Sequence, residues 1–221
     1  MHKENQRTRE EILFDKILLL YLFVESSKNG RLESVLKAQK LAFLSAVSLF
    51  EKRDKAFSLE FYRWKLGPMS NAVYSSLDCF NQIGYIEKSD HRLKQPSTEA
   101  IELMDAFAAD VLSLKDNRFV MNAIVPIARQ YGEFAPIPLK EKVYKMKFAT
   151  VDSPIKISVA DTPKCKQYTQ ALEPYEAKRI LEIPVEWQDT FEILLTPHFK
   201  ESIEKGEREL RGEYSHAPAS A

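Results

Sequence analysis

Residues 57–85 read FSLEFYRWKLGPMSNAVYSSLDCFNQIGY, and three backbone states follow one another in that stretch. Phe57, Leu59 and Phe61 alternate with Ser58 and Glu60, and Tyr62, Trp64 and Leu66 alternate with Arg63 and Lys65, which is the period of a strand. The apolar phase flips between Phe61 and Tyr62. That flip predicts either a bulge that re-aims the side chains or a strand covered on both faces. Gly67-Pro68 is expected to stop the strand, because proline has no N–H for a ladder and glycine accepts a sharp turn. A helix is expected directly afterwards. Ser70 or Asn71 can cap it, Val73, Leu77 and Phe80 recur at i, i+4 and i+7, and Gly84 suits a left-handed end.

Upstream, Thr8-x-x-Glu11 reads as a capping box that opens a helix running to about Val24 or Ser26. From Ile17 onward this helix is apolar all round, so it is expected in the core. A second helix, from about Ser34 to Lys52, carries Leu36, Phe43, Val47 and Phe50, with Lys40 in the one gap of the stripe. The expected arrangement of Lys40 is a stem lying on apolar surface with its ammonium in water. The alternative is a partly buried partner for a specific carboxylate.

Downstream, Tyr85–Lys88, a turn at Ser89-Asp90 and His91–Lys94 read as a short hairpin, and Thr98 opens a helix with Ile101, Met104, Phe107, Ala108 and Val111 on one face. Phe119–Tyr131 is a further helix that Pro126 can kink and Gly132 can cap. Pro136 and Pro138 are expected to mark a turn before a short basic and aromatic helix over Leu139–Phe148. Its Lys140, Lys142, Lys145 and Lys147 are read as a solvated face opposite Val143, Tyr144 and Phe148.

The spacing W-x-x-G-P-x-x-x-x-x-Y formed by Trp64, Gly67, Pro68 and Tyr74 resembles the signature of the Panacea domain, the module of SocA-like antitoxins and many phage-associated proteins. Gln39-Lys40-Leu41 is similar to that family's opening Q-K-L segment, and Tyr131-Gly132, Leu139 and Val143-Tyr144 resemble its closing helix pair. The resemblance covers roughly residues 35 to 148. It implies a non-enzymatic antitoxin that binds and neutralises a cognate toxin protein, in some members by presenting it to a protease or unfoldase. It also implies Lys40, Trp64, Gly67, Pro68 and Tyr74 as the partner-binding residues.

Composition narrows the other classes. Lys+Arg 32 equals Asp+Glu 32, so no global field draws the chain to nucleic acid or anionic membranes. The longest apolar run, Ile17–Val24, is far short of the roughly 20 residues a bilayer span takes. Glu4, Glu10 and Glu11 among the early basic residues, and no small-residue cleavage site after Val24, argue against a secretory leader. Cys79 and Cys165 lie far apart, without disulfide or metal spacing, which suits a reducing cytoplasm. His2, His91, His198 and His216 are scattered, and the six glycines form no phosphate loop, so neither metal, cofactor nor catalytic residue is expected. Cys79 is read as a buried structural thiol.

Helix, hairpin, helix is also the order of a winged helix, which makes a DNA-binding transcriptional repressor the alternative. Ser70–Ile83 contains no basic residue and does contain Asp78, whereas the hairpin carries Lys88, His91, Arg92 and Lys94. A groove-reading helix needs Arg, Lys, Asn or Gln at phosphates and base edges, so nucleic acid is not the expected partner.

Composition shifts at Ala149. Pro154, Pro163, Pro174 and Pro184 punctuate the chain beyond it, with one short strand around Ile155, Ile157 and Val159 and a helical turn or two within Glu173–Ile180. Ile183–Leu195 is apolar enough to dock, and Pro197 opens a last helix to about Leu210 with i, i+4 pairs Glu201–Lys205, Glu204–Arg208 and Glu207–Arg211. The tail from Tyr214, ending Ala-Ser-Ala, is expected to be loose and resembles bacterial unfoldase tags. The predicted whole is a mainly α (α+β) protein: a helical domain over residues 1–148 with a small antiparallel β element and a hairpin wing, then a C-terminal extension over 149–221.

Overall fold

The computed structural model describes residues 7–210. In chain order its elements are α1 (Arg9–Lys28), α2 (Val35–Lys52), β1 (Asp54–Lys55), β2 (Phe61–Trp64), β3 (Gly67–Met69), α3 (Asn71–Gln82), β4 (Ile86–Ser89), β5 (Arg92–Pro96) and α4 (Thr98–Phe107). A π-helical turn at Ala108–Leu112 continues α4. Then come α5 (Arg118–Tyr131), α6 (Pro136–Lys145), β6 (Lys147–Thr150), β7 (Ser153–Ser158), β8 (Gln167–Thr169), β9 (Arg179–Ile180), α7 (Val185–Leu194) and α8 (Pro197–Leu210). The fold is α+β and mainly helical, with small sheets that are antiparallel except for the β1–β9 pair.

The capping box at the start of α1 is present: Glu11 N–H donates to Thr8 Oγ1, and Thr8 N–H donates to the Glu11 carboxylate. Every residue from Ile17 to Val24 is buried, as an all-round apolar helix requires, and α2, α4 and α5 pack around it. Asp15 on the same helix is buried, its carboxylate accepting from Ser58 N–H at 2.7 Å and pairing with Arg7 at 2.8 Å. Burial outweighs both partners and pushes this carboxyl up to about 7. No described helix is long and apolar enough to cross a membrane.

The central stretch departs from its expected form in two ways. The register of β2 against β8 does shift between Phe61 and Tyr62, but the side chains keep their phase: Leu59, Phe61 and Arg63 face inward, while Tyr62 and Trp64 face out. An arginine can take the inner position because its guanidinium finds backbone acceptors and an aromatic face there. Arg63 Nε donates to the Val159 carbonyl at 2.7 Å, its Nη1 donates to the Trp64 carbonyl, and its guanidinium lies 5.0 Å from the Tyr144 ring centre. Nor do Gly67-Pro68 end the strand. Lys65 and Leu66 form the turn, and Gly67 and Pro68 pair back with Trp64 and Arg63 as the start of β3. Proline fits because β3 is the edge of the sheet, in the order β3-β2-β8.

Two helix starts also differ from expectation. Ser70 holds the N-cap position of α3 without a side-chain cap bond. Pro136 and Pro138 lie within the first turn of α6 rather than in a turn before it, since proline's fixed φ and missing N–H suit the first helical position. That helix ends at Lys145, and Phe148 sits in β6. The left-handed end of α3 at Gly84 has φ +77, and Asp90, with φ 53, turns the hairpin of β4 and β5.

Past residue 150 the chain forms more strand than its prolines suggest. β8 adds to β2, with Phe61 paired to Thr169, and β9 runs parallel to β1. Trp187 and Phe191 of α7 pack edge-on against Phe107, with ring centres 5.5 and 5.1 Å away. The Glu201, Glu204 and Glu207 side chains of the expected ion pairs in α8, and the Ala-Ser-Ala tail, lie outside the described residues.

Candidate functional site

The face of α2 that looks toward the β2–β3 hairpin carries Gln39 and Lys40 side by side, both buried. Gln39 treats the junction between β3 and α3 as a neighbouring strand would. Its Nε2 donates to the Ser70 carbonyl at 2.8 Å, and Ser70 N–H donates to its Oε1 at 3.0 Å. Lys40 Nζ donates to the Pro68 carbonyl at 2.8 Å. The Gln-Lys pair of one helix therefore pins both ends of the Pro68–Ser70 backbone.

Tyr144 of α6 closes the hairpin from the other side. Its hydroxyl donates to the Lys65 carbonyl at 2.8 Å, and its ring receives Arg63 at 5.0 Å and Lys140 Nζ at 5.6 Å. Gly67 lies where these groups converge, with φ +91; a Cβ there would stand 3.0 Å from Tyr144 Cε2 and 3.4 Å from Lys40 Nζ. Both the left-handed backbone and the close approach call for glycine.

Between α2, the hairpin, α3 and the start of α6 lies an open cavity of about 690 Å³. Lys40, Trp64, Gly67, Pro68 and Tyr74 all line it, so the five residues that the sequence singled out meet at one concavity. Trp64 is 42% and Leu66 57% exposed at the hairpin tip, whereas Tyr74 is partly buried against the core. Leu36, Met69 and Pro136 complete the apolar wall.

Lys40 follows neither expected arrangement. It is 2% exposed and borders the cavity rather than holding its ammonium out in bulk solvent, and its partner is a backbone carbonyl rather than a carboxylate. Burial, with Arg63 and Lys140 adding like charge, pulls its pKa down to about 7. Sequence reasoning also missed Arg63 as an inward cation and Lys37, whose buried Nζ donates to the Arg31 and Gly132 carbonyls at 2.5 Å. The only available signal was a positive residue at an inward phase of its element.

The surface that would read DNA in a winged helix has its own geometry. Ser34 bridges Arg92, with Val35 N–H donating to the His91 carbonyl and Leu93 N–H to the Glu33 carbonyl, which adds a third rung beside β4 and β5. The outer face of α3 shows Asn71, Ser75, Asp78 and Asn81. Lys88 pairs with Asp78, and Lys94 with Glu87 at 2.6 Å, so two hairpin cations are already matched by carboxylates. Among the described residues no cluster of His, Cys, Asp or Glu could hold a metal ion. Cys79 is buried, and its Sγ donates to the Leu195 carbonyl at 3.0 Å. Burial raises its thiol pKa, away from thiolate reactivity.

No family model, curated protein or solved structure matches the chain.

Proposed function

We propose that this protein is an antitoxin that acts in the bacterial cytoplasm by binding a cognate toxin protein directly, through the cavity beneath the β2–β3 hairpin and the exposed hairpin tip. The observation that carries the reading is the convergence of Lys40, Trp64, Gly67, Pro68 and Tyr74, drawn from α2, the hairpin and α3, on one open apolar concavity. Trp64, Gly67, Pro68 and Tyr74 carry the spacing that resembles the Panacea domain and Lys40 lies in the segment similar to its Q-K-L opening, and an exposed aromatic beside an apolar hollow is a common anchor of a protein interface. The protein binds rather than converts its partner, and delivery of the bound toxin to a protease or unfoldase is the further step that the resemblance implies.

The test is genetic and biochemical. A small host protein that arrests growth when expressed alone, and ceases to when this chain is co-expressed, should copurify with it in fixed stoichiometry. A folded Trp64→Ala, Tyr74→Ala double variant is expected to weaken that complex by roughly 2 kcal/mol or more and to lose the rescue. Unchanged binding by the double variant would remove the site from this surface. The third rung at Ser34 and Arg92 favours the repressor as the second reading; recovery of specific DNA that survives moderate salt would put it first.

A further inference from the structure

An ammonium has three donors, and among the described residues Lys40 Nζ has one acceptor, the Pro68 carbonyl. The nearby cations do not relieve it. Neither offers an acceptor: Arg63 Nε and Nη1 themselves donate to the Val159 and Trp64 carbonyls, and the Lys140 ammonium lies over the Tyr144 ring. The charged or titratable side chains on the cavity wall, apart from the Tyr74 phenol, are Lys40, Lys65 and His91, and no Asp or Glu lines it. In a chain with 32 acidic and 32 basic residues, a cavity of this size without a carboxylate is a local excess of one sign. Ser34 and Gln39 apart, the rest of its wall is apolar; Leu66 of that wall is 57% exposed, and Ile137, next to Pro136 in the chain, is 54% exposed.

We propose that the cavity receives an acidic–apolar segment of the partner protein, in which an aspartate or glutamate carboxylate meets the Lys40 ammonium and a neighbouring aromatic or aliphatic side chain packs between Trp64, Leu66 and Tyr74. The inference rests on the binding function proposed above and names what that surface recognises. An incoming carboxylate within about 4–6 Å favours the charged amine, so the complex takes up a proton near neutral pH. A partner without the acid leaves the amine to lose its proton or to stay an uncompensated cation, so it gains less from this wall than an acidic partner does. A cavity of about 690 Å³ with Trp64 and Leu66 exposed at the hairpin tip is larger than a small carboxylic acid would fill, and one buried amine in a mostly apolar wall suits a single carboxylate better than a polyphosphate strand.

Random peptides displayed on phage would be panned against the full-length chain and, in parallel, against Lys40→Met. The expected winners carry Asp or Glu next to an aromatic or aliphatic residue and are lost against the variant. A synthetic winner should bind the wild-type chain about tenfold or more tighter than its twin with Glu replaced by Gln. Calorimetry in buffers of different ionisation enthalpy should show proton uptake for the acidic peptide alone. Because both twins are compared on the wild-type chain, the result does not depend on how well Lys40→Met folds. Winners without an acidic residue, or equal affinity of the twins, would overturn the carboxylate anchor and leave the docking surface standing. Binding of 4-phenylbutyrate as tight as the best peptide would overturn a protein segment as the occupant. Absence of enrichment over an unrelated protein would overturn the proposal outright, while the antitoxin reading would still be decided by the growth rescue.

Discussion

Lys40 and Gly67 occupy neighbouring atoms of space and place opposite demands on the chain. In the folded protein the Lys40 amine titrates near 7 rather than at the ordinary 10.5. Between those values the unfolded chain holds a proton that the folded one lacks, so folding stability rises as pH is raised from about 7 to about 10.5. The Lys40 contribution to that rise is on the order of a few kcal/mol over the whole interval, and urea midpoints followed across it should flatten in Lys40→Met. Gly67 is limited by both conformation and space, whereas Gly84 has φ +77 with nothing within 4 Å of an added Cβ. Gly84→Ala is therefore expected to cost about 1 kcal/mol, the left-handed penalty alone. Gly67→Ala adds the crowding against Tyr144 and should cost on the order of 2–3 kcal/mol. Equal shifts in melting temperature for the two variants would show that Tyr144 simply moves aside.

At the scale of elements, the hairpin, α2 and α3 are held as a unit by Gln39. Truncating it leaves the Ser70 N–H and carbonyl, both belonging to a buried residue, without their partners. Gln39→Ala is expected to destabilise by ~2–4 kcal/mol, read as a lower urea midpoint at unchanged slope. What was legible in the sequence at this scale was local. The capping box of Thr8 and Glu11, the Ser34 cap of α2 and the glycine end of α3 are decided within a turn of chain, and so those helices appear near their predicted bounds. The facing of β2 was not legible, because Arg63 goes inward only when Val159 and Tyr144 have been brought to it from far along the sequence. The burial of Lys40 was hidden for a related reason. Its partner is a backbone carbonyl, and a carbonyl leaves no mark in the sequence. Trp64, Gly67, Pro68 and Tyr74 were legible as a spacing and Lys40 as part of Gln39-Lys40-Leu41; the cavity joining these candidate residues was not, since α2 and the start of α6 supply its far walls.

In the whole molecule, residues after 150 are tied to the helical part by strands as well as by packing. Arg179 of β9 forms a two-pronged pair with Asp54, at 2.8 and 2.5 Å, and lies 4.7 Å from the Phe119 ring centre. Arg179 is half exposed but the Asp54 side chain is buried, so removing the arginine strands a carboxylate more than it removes a surface pair. Arg179→Ala is expected to cost on the order of 1–3 kcal/mol. It should speed hydrogen exchange at the Lys178 and Leu181 amides, which donate to the Arg53 and Lys55 carbonyls, before it affects α1. The sheet in the order β3-β2-β8 has a consequence for how the protein is made. Phe61 N–H donates to Thr169 Oγ1, 108 residues further on, so a chain still on the ribosome carries β2 with one side uncovered until β8 has emerged. A product cut short before that point keeps the open edge, the kind that invites pairing with other chains. The β2–β3 hairpin is thus covered on that side only once Thr169 has been made, and every stop upstream of Gln167 leaves β2 without its β8 neighbour.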